Sequence, residues 1–237
     1  MGRFDEALGI ARSVAIYRGI PFRQRRWRRL YRVFVAPGDL VFDVGGHVGN
    51  RARALLAMGC RVVIVEPQPA FANMLRRSFA GQRLARVLEA AVSNRPGRVE
   101  LAISERTPTV STIAPAWRTA RAAETGFVGV RWNRMVEVEA ITLDQLIERY
   151  GVPHFIKIDV EGAEPQVLEG LTRAVRALSF EYLPDDLDRA GTCVERLATL
   201  GAYRYNWSIG ETGRLWSREW LDGKIFYRYP ETDSDKA

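Results

Sequence analysis

Cysteine and histidine are scarce: Cys60, Cys193, His47 and His154 are the only ones among 237 residues. Two isolated thiols build neither a disulfide framework nor a thiolate metal site, so both are expected to be buried and free. No apolar run approaches the roughly 18 residues that a bilayer crossing needs. The longest, around residues 54–60, stops well short. Arg3, Asp5, Glu6 and Arg12 interrupt the amino terminus, leaving no apolar core for a secretory signal, and a cytoplasmic protein is expected. Internal repeats and low-complexity tracts are missing too, which excludes a solenoid or a fibre. What is present, 47% hydrophobic and 27% charged residues, is the profile of an ordinary globular domain.

One stretch lacks acid altogether. Arg18, Arg23, Arg25, Arg26, Arg28, Arg29 and Arg32 occur without an intervening Asp or Glu, and they equal the whole net charge of +7, so the remaining chain is balanced. Phe22, Trp27, Leu30, Tyr31 and Phe34 are interleaved at spacings that suit the packed face of an amphipathic helix. Two readings follow: a cap helix with a solvated basic side, or a surface that attracts a phosphate-bearing or lipid-linked substrate, an anionic membrane or nucleic acid. The chain therefore divides into a basic helical segment at 1–36, one main domain at 37–230 and a polar tail at 231–237.

From Leu40 onward, short apolar runs alternate with helical patterns, as in a parallel sheet buried on both faces. Strands are expected at 40–44, 61–65, 86–91, 155–158 and 177–182, and helices at 50–58, 69–79, 163–175 and 190–200. Residues 98–103 and 135–142 read as hairpin material, with an aperiodic segment at 107–134 lying over the site. The runs 203–207 and 224–229, around Gly210, Gly213 and Gly223, suggest a closing antiparallel pair.

Strand 40–44 runs into Asp43-Val44-Gly45-Gly46-His47-Val48-Gly49 and a helix. Such a turn lets backbone approach an anionic ligand at a helix start, although a tight strand-to-helix connection would use the same residues. The GxGxxG spacing of dinucleotide binders is absent. Asp43, two residues before the first glycine, instead suits the ammonium group of S-adenosylmethionine, and Glu66 ends the next strand where a carboxylate can accept both ribose hydroxyls. His47 could serve as a donor or a base near neutral pH, or simply bond to its own loop.

A second acid-rich strand end follows at Lys157-Ile158-Asp159-Val160-Glu161-Gly162-Ala163-Glu164. In an open parallel sheet the ligand cleft lies at the carboxyl ends of the strands, so Asp159 and Glu161 should share a rim with Asp43 and Glu66. A lysine within a central strand needs a carboxylate partner, so Lys157 is expected to pair with one of these acids. Asp159 and Glu164 could also act as ordinary helix-start acids.

These blocks, with Glu66-Pro67, Ala90-Ala91-Val92-Ser93, Ser111-Thr112, Ile141-Thr142-Leu143-Asp144 and Val167-Leu168-Glu169-Gly170, resemble the FkbM-type S-adenosylmethionine-dependent O-methyltransferases over about residues 39–182. Gly46-His47 departs from the Ala-Asn more often found there. The resemblance implies an α/β, Rossmann-like class I methyltransferase fold. Its seven-stranded, mostly parallel sheet would carry one antiparallel strand and helices on both faces. It also implies methyl transfer to a hydroxyl of a small acceptor such as a sugar, glycolipid or polyketide.

On this reading the cofactor lies against Asp43, Gly45, Gly46, His47, Val48, Gly49, Glu66, Pro67, Ala91, Val92 and Asp159. Catalysis falls to Asp159, with Glu161, Glu181 or His47 as helpers, and the acceptor to Ser111, Thr112, Trp117 and Trp132. No metal is assigned, since Asp159 and Glu181 offer two oxygens without a clear third ligand. A homodimer is compatible with the sequence. A rival function, nucleic-acid binding or modification through residues 18–34, finds no Asn-Pro-Pro-Tyr-type sequence or RNA module to support it.

Overall fold

The computed structural model describes residues 2–18 and 23–223. Its centre is a five-stranded parallel sheet, ordered β3 (Ala85–Leu88), β2 (Arg61–Val65), β1 (Leu40–Val44), β7 (Phe155–Ile158) and β8 (Leu178–Phe180). Successive side chains of a strand point to opposite faces, and both faces here are apolar. Leu40, Phe42, Val44, Ile156 and Ile158 pack against α6 (Leu143–Tyr150), α7 (Glu164–Glu169) and α8 (Leu187–Leu200). Val41, Val62, Ile64 and Phe155 pack against α2 (Arg23–Tyr31), α3 (Asn50–Leu56) and α4 (Pro69–Ser78). The doubly wound α/β arrangement with helices on both faces is therefore present.

A second, three-stranded sheet carries the antiparallel pairing. In it β6 (Arg134–Ile141) lies between β4 (Ala91–Val92), which it pairs in parallel, and β5 (Gly97–Ile103), which it pairs antiparallel from Gly97↔Ala140 to Ile103↔Arg134. The single strand expected at 86–91 is thus two, β3 and β4, because the chain changes sheets at residues 89–90. Expected strand 224–229, Phe22 and the tail lie outside the described residues. The partner run does pair, through a lone antiparallel bridge of Tyr205 with Leu221.

Three helices differ from expectation. α7 stops at Glu169 instead of continuing to 175, because Gly170 runs against Ser93, where an added Cβ would stand 2.4 Å from the carbonyl oxygen. The aperiodic segment holds a helix, α5 (Pro115–Ala122), which Pro115 starts at the position where its missing N–H is harmless. α6 opens on a full capping box, Thr142 with Gln145. At the amino terminus, α1 (Gly2–Arg18) precedes α2, whose Trp27 and Tyr31 are each 3% exposed and seat that helix in the core. Both cysteines are buried and free.

Candidate functional site

Strand order reverses about β1, with β2 and β3 on one side and β7 and β8 on the other, and a cleft opens at the carboxyl ends there. Its first wall is the turn after β1. Gly45 adopts a φ of +78°, and a Cβ on it would stand 1.8 Å from the Asp159 carbonyl oxygen, so only glycine lets the exits of β1 and β7 touch. His47 also has a left-handed φ, +44°, which turns its N–H toward β2. That N–H donates to Glu66 Oε2 at 2.8 Å, and the Gln68 N–H donates to Glu66 Oε1 at 2.9 Å. Burial pushes the Glu66 carboxyl up to about 7 even though both hydrogen bonds pull it down.

The second wall is built by charge. Lys157, on β7, donates from Nζ to the Gly45 carbonyl at 2.7 Å and lies 3.3 Å from Asp43 Oδ1 and 3.2 Å from Asp159 Oδ2. Burial opposes its charge, but Asp159 and Asp43 outweigh that and raise its pKa. The pairing expected of this lysine is therefore made, with two acids at once.

Asp159, Glu161 and Glu181 each offer an oxygen, all within 4.8 Å of one another, an arrangement able to share a proton or to hold a divalent cation. Burial raises the Asp159 carboxyl, yet Lys157 and a hydrogen bond from Glu181 hold it below its usual range. Glu181 carries the cost: repulsion from Asp159, then burial, pushes it to about 9. Glu161, at a left-handed φ of +55°, is raised by burial and by Asp159 and Glu181. The shifts are therefore opposed, Asp159 lowered and Glu161 and Glu181 raised, which is how like charges at close range settle.

Of the residues assigned to the cofactor, Gly45, His47, Glu66, Pro67, Ala91, Val92 and Asp159 line the cleft. Asp43, Gly46, Val48 and Gly49 do not. Asp43 is wholly buried and serves as the counterion of Lys157 rather than as a wall. Gly46 is pressed onto Ile64, where an added Cβ would stand 2.3 Å from Cγ2. The catalytic candidates His47, Asp159, Glu161 and Glu181 all line the cleft.

The acceptor assignments divide. Ser111 and Thr112 line the cleft, but their hydroxyls are committed: Ser111 Oγ donates to Gln68 Oε1 at 3.2 Å and Thr112 Oγ1 to the Glu161 carbonyl at 2.7 Å. Trp117 and Trp132 lie outside the cleft walls. Trp117 covers Gly162 and meets Phe127 and Trp132 edge-on, while Trp132 Nε1 donates to the Val110 carbonyl at 2.8 Å. Their apolar area is used to anchor segment 104–133, the more ordinary fate of tryptophan.

Sequence reasoning missed Tyr17, Arg51 and Glu211, all of which line the cleft. Tyr17 comes from α1 and sits edge-on to His47 at 5.2 Å; its hydroxyl is raised by burial, then by Glu211, Asp159, Glu161 and Glu181. Arg51 pairs with Glu211 at 3.2 Å and stacks on Trp27 of α2, so three distant parts of the chain meet at one rim. No local motif marks such residues.

Two curated relatives are similar at low identity. The 2-O-methyltransferase NoeI of Sinorhizobium fredii is 24% identical over 161 residues, covering 65% of this chain and 66% of that protein. The hexuronic acid methyltransferase AglP of Haloferax volcanii is 26% identical over 145 residues, covering 60% of this chain and 54% of that one. The chain thus spans just under two thirds and about half of their lengths. A solved structure, the precorrin-6y C5,15-methyltransferase of Geobacter metallireducens, overlaps with a TM-score of 0.45 and 11% identity over 78% of this chain and 73% of its own, too loosely to bear on the site. The family model described as the methyltransferase FkbM domain matches residues 43–203, from the end of β1 to beyond α8, and by that match the chain belongs to the FkbM methyltransferase family.

Proposed function

We propose that the protein is an S-adenosylmethionine-dependent O-methyltransferase that acts in the cytoplasm on a hydroxyl of a sugar-bearing small molecule. The observation that carries this is the meeting of two unlike carboxylate walls in one cleft, Glu66 on one side and Asp159 with Glu161 and Glu181 on the other. The donor set suits the cofactor: Glu66 for a ribose diol, and Ala91, Val92 and Leu101 for a flat base. Membership of the FkbM family and the similarity to a 2-O-methyltransferase and a hexuronic acid methyltransferase support the same chemistry.

When bound, the sulfonium supplies an electrophilic methyl group. The protein's part is to hold the acceptor oxygen in line and to take its proton. Asp159, kept ionised by Lys157, faces the cleft as the acceptor of that proton. A low-pKa carboxylate suffices, because an alcohol oxygen becomes a strong acid as its new bond to carbon forms. Glu181, holding its proton at neutral pH, donates a hydrogen bond to Asp159 instead of adding negative charge, and Glu161 is raised in the same direction. The segment 1–36 completes the site, contributing Tyr17 to the cleft and Trp27 beneath Arg51.

Calorimetry with S-adenosylmethionine, followed by transfer of its labelled methyl group to a panel of neutral, amino and uronic glycosides, tests the reading. Binding in a one-to-one ratio and a product heavier by one methyl are expected. A protein that does not bind the cofactor would refute the proposal.

A further inference from the structure

The arginines that dominate the sequence are not used by the cleft. Within α2 and the turn after it, Trp27 and Tyr31 point into the core, while Arg25, Arg26, Arg29, Arg32 and Val33 are exposed on the opposite side. Positions 25, 29 and 32 recur at helical spacing, so these guanidinium groups form a row rather than a scatter. No acid lies within α2, and Arg26, Arg29 and Arg32 make no ion pair among the described residues.

The fold then enlarges this row with a segment remote in sequence. Residues 213–220 pack against α2 at one point and against the turn after it at another. Gly213 lies against Arg26, where an added Cβ would stand 3.2 Å from the arginine's own Cβ, and Trp220 meets Phe34 edge-on at 5.9 Å. The segment adds exposed Arg214 and Arg218, with Trp216 at 47% and Trp220 at 38% exposure, against one exposed acid, Glu219. Arginine with partly exposed tryptophan and valine on one face is the composition of an interface that meets lipid headgroups: the cations attract phosphates and the indoles settle at the water boundary.

We infer that the face formed by α2 and residues 213–220 docks the protein on an anionic membrane surface. Nucleic acid is the poorer occupant. Beside the arginines the face exposes Val33, an apolar side chain with no use against a phosphate backbone, and with Trp216 and Trp220 it suits the boundary between lipid headgroups and acyl chains. The inner side of α2 adjoins the cleft rim, since Arg51 reaches from Trp27 to Glu211, which lines the cleft just before residues 213–220. The inference does not depend on the cofactor or the reaction.

Sedimentation with vesicles tests it directly, using phosphatidylcholine alone and phosphatidylcholine with phosphatidylglycerol. The whole protein should bind the anionic vesicles, leave the neutral ones, and release in high salt. Each Arg→Gln change at Arg26, Arg29 and Arg32 should weaken partitioning about fivefold, and the triple variant about a hundredfold, with calorimetric binding of S-adenosylmethionine unchanged. Trp220→Ser, a milder change, should weaken it severalfold. Equal binding to both vesicle types, no vesicle binding, or a triple variant that binds like the parent would each overturn the inference. So would displacement by soluble glycerophosphoglycerol at low concentration, or by an RNA oligonucleotide that itself binds more tightly than the vesicles.

Discussion

The two walls of the cleft reach raised carboxyl pKa values by different physics. Glu66 stands alone and is almost wholly buried, its value of about 7 set by desolvation against two backbone N–H donors. Asp159, Glu161 and Glu181 are less buried and, besides burial, act on one another and on Lys157, which leaves Asp159 lowered and Glu161 and Glu181 raised. A lone buried carboxylate is a binding group whose geometry is fixed by backbone. A cluster that shares protons is equipped to take up another, and on the proposed function the first wall would bind and the second would move a proton.

The largest effect that sharpens this contrast is expected from Asp159→Asn. Without the carboxylate that Lys157 keeps ionised, turnover should drop about a thousandfold in a labelled-methyl assay. Near-parental turnover would remove Asp159 from the chemistry. Glu66→Gln should act on the other quantity, weakening S-adenosylmethionine binding about tenfold to a hundredfold by calorimetry while turnover at saturation stays close to the parent's. If both variants damaged the same parameter, the division of labour between the walls would be wrong.

Smaller effects probe protonation. Glu181 holds its proton until about pH 9, so activity that relies on its hydrogen bond to Asp159 should fall as pH rises through that value. Glu181→Gln should keep the donor and abolish that alkaline limb in a pH–rate profile. Glu164, buried with its carboxylate accepting from the Val160 N–H at 3.0 Å, is raised by burial to about 7. A carboxyl raised on folding contributes its stability below the unfolded value and loses it as pH climbs through the folded one. Melting temperature should therefore decline between about pH 5 and pH 8, and Glu164→Gln should flatten that decline by about 5 °C. The smallest effect is expected from a chelator. Lys157 already balances Asp159, and turnover should survive EDTA.

Much of the scaffold was legible because its signals are local. The apolar runs at 40–44, 61–65 and 155–158 are strands where expected, since strands buried on both faces need continuous apolar sequence. Asp159 and Glu66 were legible as cleft residues because each follows such a strand at its carboxyl end. Trp117 and Trp132 misled, because an aromatic residue reads the same whether it stacks on a sugar or anchors a loop. Tyr17 and Glu211 were invisible, since each reaches the cleft from a segment without a motif of its own.

Sequence by itself determined the alternation of strands and helices, the acids at the strand tips and the concentration of arginine near the amino terminus. These depend on side-chain type and on spacing within one element. Tertiary structure alone decided that Asp43 is a buried counterion, that Glu161 completes a three-carboxyl cluster, and that residues 213–220 extend the basic face of α2. Such outcomes depend on distances between atoms far apart in the chain. Burial and Coulomb energy act on those distances, and no local pattern encodes them.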